Sequence, residues 1–142
     1  MIDRLFAERL IDKISQFTEY NINVMDEDGI IIASRMKERV GTFHEVAYQL
    51  MKGDEDSRVV TKEDSDKGVK CGVNMVVHVN KRKEGVVGLS GDPREIMPVA
   101  KIVKMTVELM LEYESYKYEN LRKYNLKEQL IHLILYSDDF VR

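Results

Sequence analysis

A chain of 142 residues is long enough for one domain with a real core and a terminal extension. With 44% hydrophobic and 33% charged residues, wholesale disorder is excluded. Its 22 Lys and Arg against 25 Asp and Glu give a formal net charge of -3, so no uniform basic field exists to hold a polyanion, and direct nucleic-acid binding by this segment is not expected.

The single cysteine, Cys71, excludes an intrachain disulfide, and His44, His78 and His132 show no metal-motif spacing. No basic and then apolar leader opens the chain, and no apolar run approaches a membrane span. These features lead us to expect a cytoplasmic protein with no membrane association, no metal and no cofactor.

From about Asp3 to Thr18, Phe6, Leu10, Ile14 and Phe17, joined by Ala7 and Ile11, recur at helical spacing, which predicts an amphipathic helix. The period then changes to two. Asn21 to Asp26 alternates, Glu27-Asp28-Gly29 supplies a turn, and Ile30 to Ser34 is a β-branched run; together they predict a β-hairpin. A loop from Arg35 to Gly41 leads to Thr42 and Glu45, which have the spacing of a capping box. That spacing predicts a helix starting at Thr42, with Val46, Ala47, Leu50 and Met51 on its apolar face and Gly53 as its stop. Asp54 to Lys70 is polar apart from Val59-Val60 and reads as a surface excursion with a short strand or helical turn.

A second β region runs from Cys71 to Val79, through a loop at Asn80 to Glu84, and on from Gly85 to Gly91. Alternation places Val73, Met75, Val77 and Val79 on one face and Asn74, Val76 and His78 on the other. That second face reads either as half-solvated or as one from which Asn74 offers an amide donor and acceptor to a pocket. Asp92-Pro93 signals another helix, and Pro98 predicts one turn, a kink and then a long helix packed through Ile102, Val103, Thr106, Leu109, Met110 and Tyr113. Further on, Leu126, Leu130, Leu133 and Ile134 form a stripe that Ile131, Leu135 and Tyr136 widen. A partner subunit, a downstream domain or the first helix is needed to cover it. The chain stops after Asp138 to Arg142 with no terminal cap, as a piece of a longer protein would.

The binding chemistry concentrates in Arg39-Val40-Gly41-Thr42-Phe43-His44-Glu45. Helix-start amides carry partial positive charge, Arg39 offers a bidentate fork, and His44 stands in the first turn. These suit a carboxylate; equally, the segment reads as an ordinary capped helix start with a solvated arginine. Gly85, Gly88 and Gly91 lie within a strand, so they form no phosphate loop. His44 and Glu45 are adjacent and would not face each other on a helix. No set of nucleophile, base and orienting group emerges, and no enzyme is expected.

Helix, hairpin, short helix, antiparallel strands and exit helix together predict an α+β fold. We expect a PAS-like antiparallel sheet of about five strands flanked by helices, with a long N-terminal helix and a long C-terminal exit helix. Residues 1–112 would form the sensing domain and residues 113–142 a signalling or dimerisation helix.

Asn21 to Asp26, Gly29 to Ser34, Arg39-Val40-Gly41, His44-Glu45, Gly72-Val73-Asn74, Gly88 to Pro93 and Met105-Thr106 through Glu112 resemble, in order and spacing, the sugar diacid recognition domain of carbohydrate diacid transcriptional regulators. The similarity runs from about residue 5 to residue 135. It implies a bacterial sensor of small polyhydroxy acids such as glucarate, galactarate or glycerate, reaching DNA only through a separate helix-turn-helix domain; separately, the terminal apolar stripe leads us to expect a homodimer. Carried over by position, it implies ligand contacts at Arg39, Gly41, His44, Glu45, Asn74 and Gly91, to which the capping-box reading of the helix start adds Thr42. Met36, Cys71 and Val76 depart from the Asp, Gln and Pro often found there in relatives, which implies a less polar rim and admits a smaller hydroxy acid. Arg35 is a second candidate cation. The alternative reading is a dimerisation module without a metabolite.

Overall fold

The computed structural model describes residues 2–61 and 70–136. The chain divides into two compact units, Met1–Leu109 and Met110–Arg142.

The first helix, α1 (Arg4–Ile14), starts at Asp3, whose side chain accepts from the Phe6 N–H at 2.8 Å. It buries Ala7, Leu10 and Ile11. It also ends earlier than the apolar spacing predicts. Gln16 N–H to Lys13 and Phe17 N–H to Ile14 are i to i+3 bonds that tighten and finish the helix, leaving Phe17 exposed.

Five antiparallel strands follow: β1 (Asn21–Met25), β2 (Ile31–Ser34), β3 (Ser57–Val60), β4 (Gly72–Val79) and β5 (Arg82–Ser90), in the sheet order β2-β1-β5-β4-β3. The arrangement agrees with the expected antiparallel α+β fold and is compatible with the PAS-like description. The turn between β1 and β2 is fixed by Asp26, whose Oδ1 accepts from the N–H groups of Asp28 and Ile30. β4 and β5 meet through Asn80 and Lys81, both at positive φ. This two-residue turn is shorter than the expected loop, so Arg82 to Glu84 belong to the strand. β3 pairs with β4 at the sheet edge within the polar excursion; residues 62–69 of that excursion lie outside the described residues.

Helix α2 (Glu45–Lys52) lies on one face of the sheet, where Ala47 and Leu50 close over Met25, Ile31, Val76 and Val86. Each such fully buried aliphatic side chain contributes roughly 1.5–3 kcal/mol. The C-terminus of α2 is held by Lys83, whose ammonium donates to the carbonyls of Leu50 and Gly53 at 2.7 and 2.6 Å. The alternate strand residues Ile22, Val24, Val73, Val77, Val87 and Leu89 are buried too. β4 is therefore covered on both faces from Gly72 to Val77, and the half-solvated reading of the Asn74 and Val76 face is overturned. Val76 belongs to the core beneath α2 rather than to a pocket rim.

The last helix, α3 (Pro93–Tyr136), runs through Pro98 as one continuous element rather than as a single turn followed by a separate helix. Its buried positions are Ile96, Ala100, Val103 and Val107. Of the packing stripe expected from the sequence, Val103 is buried, whereas Ile102, Leu109, Met110 and Tyr113 are exposed. The true stripe is offset because Ala100, too small to stand out in the pattern, sits at its centre. In the second unit Leu126, Leu130, Leu133 and Ile134 are exposed. The side chains of Leu135 and Tyr136, and residues 137–142, lie outside the described residues.

Candidate ligand-binding site

The pocket is built where the sheet runs out from under α2. Two residues along each strand from the apolar row Met25, Val86 and Val76 comes a polar one: Asn23 pairs with Gly88, and Gly88 with Asn74. Period two keeps both rows on the same face. Above this second row stand Arg39 and His44. Together with Lys70, Leu89 and Ser90 these residues line a small pocket.

A run of backbone bonds sets the position of the upper wall. Gly41 N–H donates to Ile31 O, Ile31 N–H to Thr42 O, and His44 N–H to Gly29 O at 2.7 Å. The segment before α2 thus lies alongside the tip of the hairpin. Gly29 makes this approach possible: its φ is 79°, and a Cβ there would lie 2.8 Å from Tyr48 Cβ.

The helix starts differently from the capping-box expectation. His44 is the N-cap, its Nδ1 accepting from the Ala47 N–H at 3.1 Å, while Thr42 lies outside the helix. Thr42 instead donates its hydroxyl to Arg39 O at 2.6 Å and bonds the same carbonyl through its N–H. It therefore holds the short 3-10 turn Lys37–Arg39 that carries the guanidinium. With Nδ1 accepting, the proton of neutral His44 is on Nε2. Burial, and then the nearby positive charge of Arg39, push its pKa down to about 4, so the imidazole is neutral near pH 7.

The polar groups of the site are unevenly satisfied. Arg39 Nη1 is buried and has no hydrogen-bond partner among the described residues, and the same holds for both amide atoms of Asn21 one row further along β1. Lys70 Nζ lies 3.3 Å from Met36 Sδ. Arg35 does not add a second pocket cation: its Nη1 donates to Thr18 O at 2.5 Å and so ties β2 to the connection after α1. Among the described residues the lining holds two cationic side chains, Arg39 and Lys70, and no acidic one.

Of the seven positions expected at the site, Arg39, His44 and Asn74 come together in this lining. The other four stand elsewhere. Gly41, at φ 90°, bonds the start of β2, and Thr42 is exposed behind Arg39. Glu45 is exposed and accepts from Gln49 Nε2 at 3.4 Å. Gly91 donates to Cys71 O and faces Ile96. Sequence reasoning missed Asn23, Lys70, Gly88 and Ser90. An asparagine within an alternating apolar strand was the available signal for Asn23, and register alone joins the others.

His44 and Glu45 form no acid–base pair, because the imidazole Nδ1 is occupied by the helix amide and the carboxylate lies exposed beside Gln49. Among the described residues no group of three or more His, Cys, Asp and Glu side chains is placed to hold a metal ion. No helix among them is long and apolar enough to cross a membrane.

A family model described as "Putative sugar diacid recognition" matches residues 2–134. The chain belongs to the sugar diacid recognition family. This recognition domain is 30% identical, over 97% of its length, to the carbohydrate diacid regulator of Escherichia coli strain K12, of which it covers 36%. It is 36% identical over 76% of its length to the uncharacterized protein YsfB of Bacillus subtilis strain 168, covering 30% of that protein. An uncharacterized protein of Haemophilus influenzae is 29% identical over 96% of the chain and is covered to 38%. The recognition domain thus spans only about a third of the length of these relatives.

Proposed function

We propose that this chain is the ligand-sensing domain of a cytoplasmic transcriptional regulator and not an enzyme. It binds a small sugar diacid or hydroxy acid, of the glucarate, galactarate or glycerate kind, in the pocket at the start of α2. The observation that carries this reading is the buried, unpartnered Arg39 Nη1 in a pocket with a second cation and no acidic side chain among the described residues. A buried guanidinium hydrogen without an acceptor is costly, and a carboxylate supplies that acceptor together with the opposite charge. His44 Nε2–H and the asparagine amides add neutral donors suited to a second carboxylate or to hydroxyls. The name of the Escherichia coli relative, a carbohydrate diacid regulator, supports the same ligand class. Residues 1–112 form the sensing part, and 113–142 carry its state to a DNA-binding domain elsewhere in the protein.

The exposed Leu126, Leu130, Leu133 and Ile134 favour a second element of the proposal, a homodimer formed through the terminal helix. Taken alone, that surface also supports a dimerisation module with no metabolite.

A thermal-shift series with glucarate, galactarate, glycerate, malate, tartrate and neutral sugars tests the sensor reading. An acid that binds the folded state at about a hundred times its Kd stabilises the protein by about 2.7 kcal/mol. Arg39→Ala should weaken that acid by about tenfold or more, the scale of a hydrogen bond to a charged group. Its own unfolding midpoint should stay near wild type. If no acid shifts the midpoint, the sensor reading is lost and the dimerisation module takes its place.

A further inference from the structure

One pocket residue, Asn23, has the acceptor end of its amide held by the protein. Met36 N–H donates to Ser34 Oγ at 3.0 Å, so one lone pair of that hydroxyl is occupied. The hydroxyl oxygen in turn lies 2.5 Å from Asn23 Oδ1. Such a separation suits O–H···O and is too short for N–H···O, so the amide of Asn23 is oriented with its oxygen toward Ser34. Both residues are buried, at 3% and 6% exposure, and no solvent-facing alternative competes. Asn23 Oδ1 is thereby saturated on the Ser34 side, and Nδ2 is the end of the amide left for the pocket that Asn23 lines.

The neighbouring position explains how Asn23 and Asn74 share one row. Gly88 stands between Asn23 and Asn74 in the cross-strand register. A Cβ there would strike Asn74 Oδ1 and lie 3.3 Å from Met25 Cε. The Asn74 amide oxygen occupies the space that a side chain here would fill, so glycine is what lets the two asparagines share one floor.

Resting on the sensor reading above, we propose that Asn23 is a specificity-determining ligand contact: its Nδ2 donates to a carboxylate oxygen of a hydroxy acid in the pocket that Asn23 lines with Arg39 and His44. Ser34 is the positioning residue that fixes which end of the amide the ligand meets. An amide locked as a donor favours an oxygen that only accepts. It gains less from the hydroxyl of a neutral polyol, which other partners can satisfy equally well.

Asn23→Asp tests this with little change in shape. Ser34 can still donate to the new carboxylate, while both amide donors are replaced by negative charge. Isothermal titration with glucarate, galactarate, tartrate and glycerate, and with galactitol as a neutral counterpart, is carried out on wild type, Asn23→Asp, Ser34→Ala and Arg39→Ala. The best acid for wild type should bind Asn23→Asp about tenfold more weakly or worse. Ser34→Ala, which frees the amide to rotate, should weaken the acid several-fold and narrow the preference for acid over galactitol. If Asn23→Asp fails to fold, Ser34→Ala decides alone. Unchanged acid affinity and unchanged preference in the folded variants would overturn the Asn23 assignment, and a loss with Arg39→Ala would leave the sensor reading standing. Wild type binding none of the acids overturns both.

Discussion

The sheet face that carries α2 has two halves made from the same strands. In the first, Met25, Val86 and Val76 lie beneath Ala47 and Leu50 and are fully buried. In the second, two residues along, Asn23, Gly88 and Asn74 lie beneath Arg39 and His44. Backbone, pleat and register are shared, so the difference is entirely in what lies overhead. The body of a helix closes apolar side chains by excluding water. The start of a helix, with its cap and the turn before it, places polar groups there, and these require partners. One half of the face therefore holds the domain together, and the other is free to be specific.

The largest effect expected from this contrast is at Leu50. Leu50→Ala should cost about 2–5 kcal/mol in chemical denaturation, because a fully buried side chain leaves a cavity. If the loss were as small as that of a surface change, the apolar half would not be the stabilising one.

The next is a pH dependence of the polar half. His44 titrates at about 4 in the folded protein against 6.5 for the free group, so the unfolded chain takes up the proton first. Its contribution is fully present above pH 6.5 and is lost as pH falls toward 4, with an upper limit on the order of 3 kcal/mol. Other groups titrate as well, so the measured quantity is the difference between wild type and His44→Asn, which keeps a good N-cap. Parallel stability curves across that pH range would mean that His44 is not held neutral by its burial.

The smallest effect separates the cap from its neighbour. At neutral pH His44→Ala should cost about 0.5–2 kcal/mol, the scale of a lost N-cap. Thr42→Ala should stay within about 0.5 kcal/mol in stability, as an exposed position does, yet weaken acid binding because Thr42 holds the Arg39 turn. A reversal of the two would restore Thr42 as the cap.

Much of this architecture is written in periodicities. The change from helical spacing before Thr18 to alternation after Asn21 locates α1 and the hairpin, and Asp28-Gly29 locates the turn between β1 and β2. Local signals misled where two residues compete for one role. Thr42 and Glu45 have capping-box spacing, but the bond from His44 N–H to Gly29 O draws the chain along the hairpin and delays the helix to Glu45. Similarly, large residues at Ile102 and Leu109 outweigh Ala100 in a pattern, although it is the small residue that is buried.

By itself, the sequence determined most of the elements, their order, the fold class and three of the residues that meet at the pocket, Arg39, His44 and Asn74. Those depend on local periodicity, turn chemistry and the presence of particular polar side chains. The β3 strand, the Lys37–Arg39 turn and the continuity of α3 were left to the structure. The tertiary structure alone decided that Asn23, Gly88 and Asn74 form one row across three strands. It also turned Arg35 toward Thr18 while leaving Arg39 Nη1 buried without a partner among the described residues. Strand register and the approach of a loop to a hairpin tip join residues tens of positions apart, and no local pattern encodes which of them will meet.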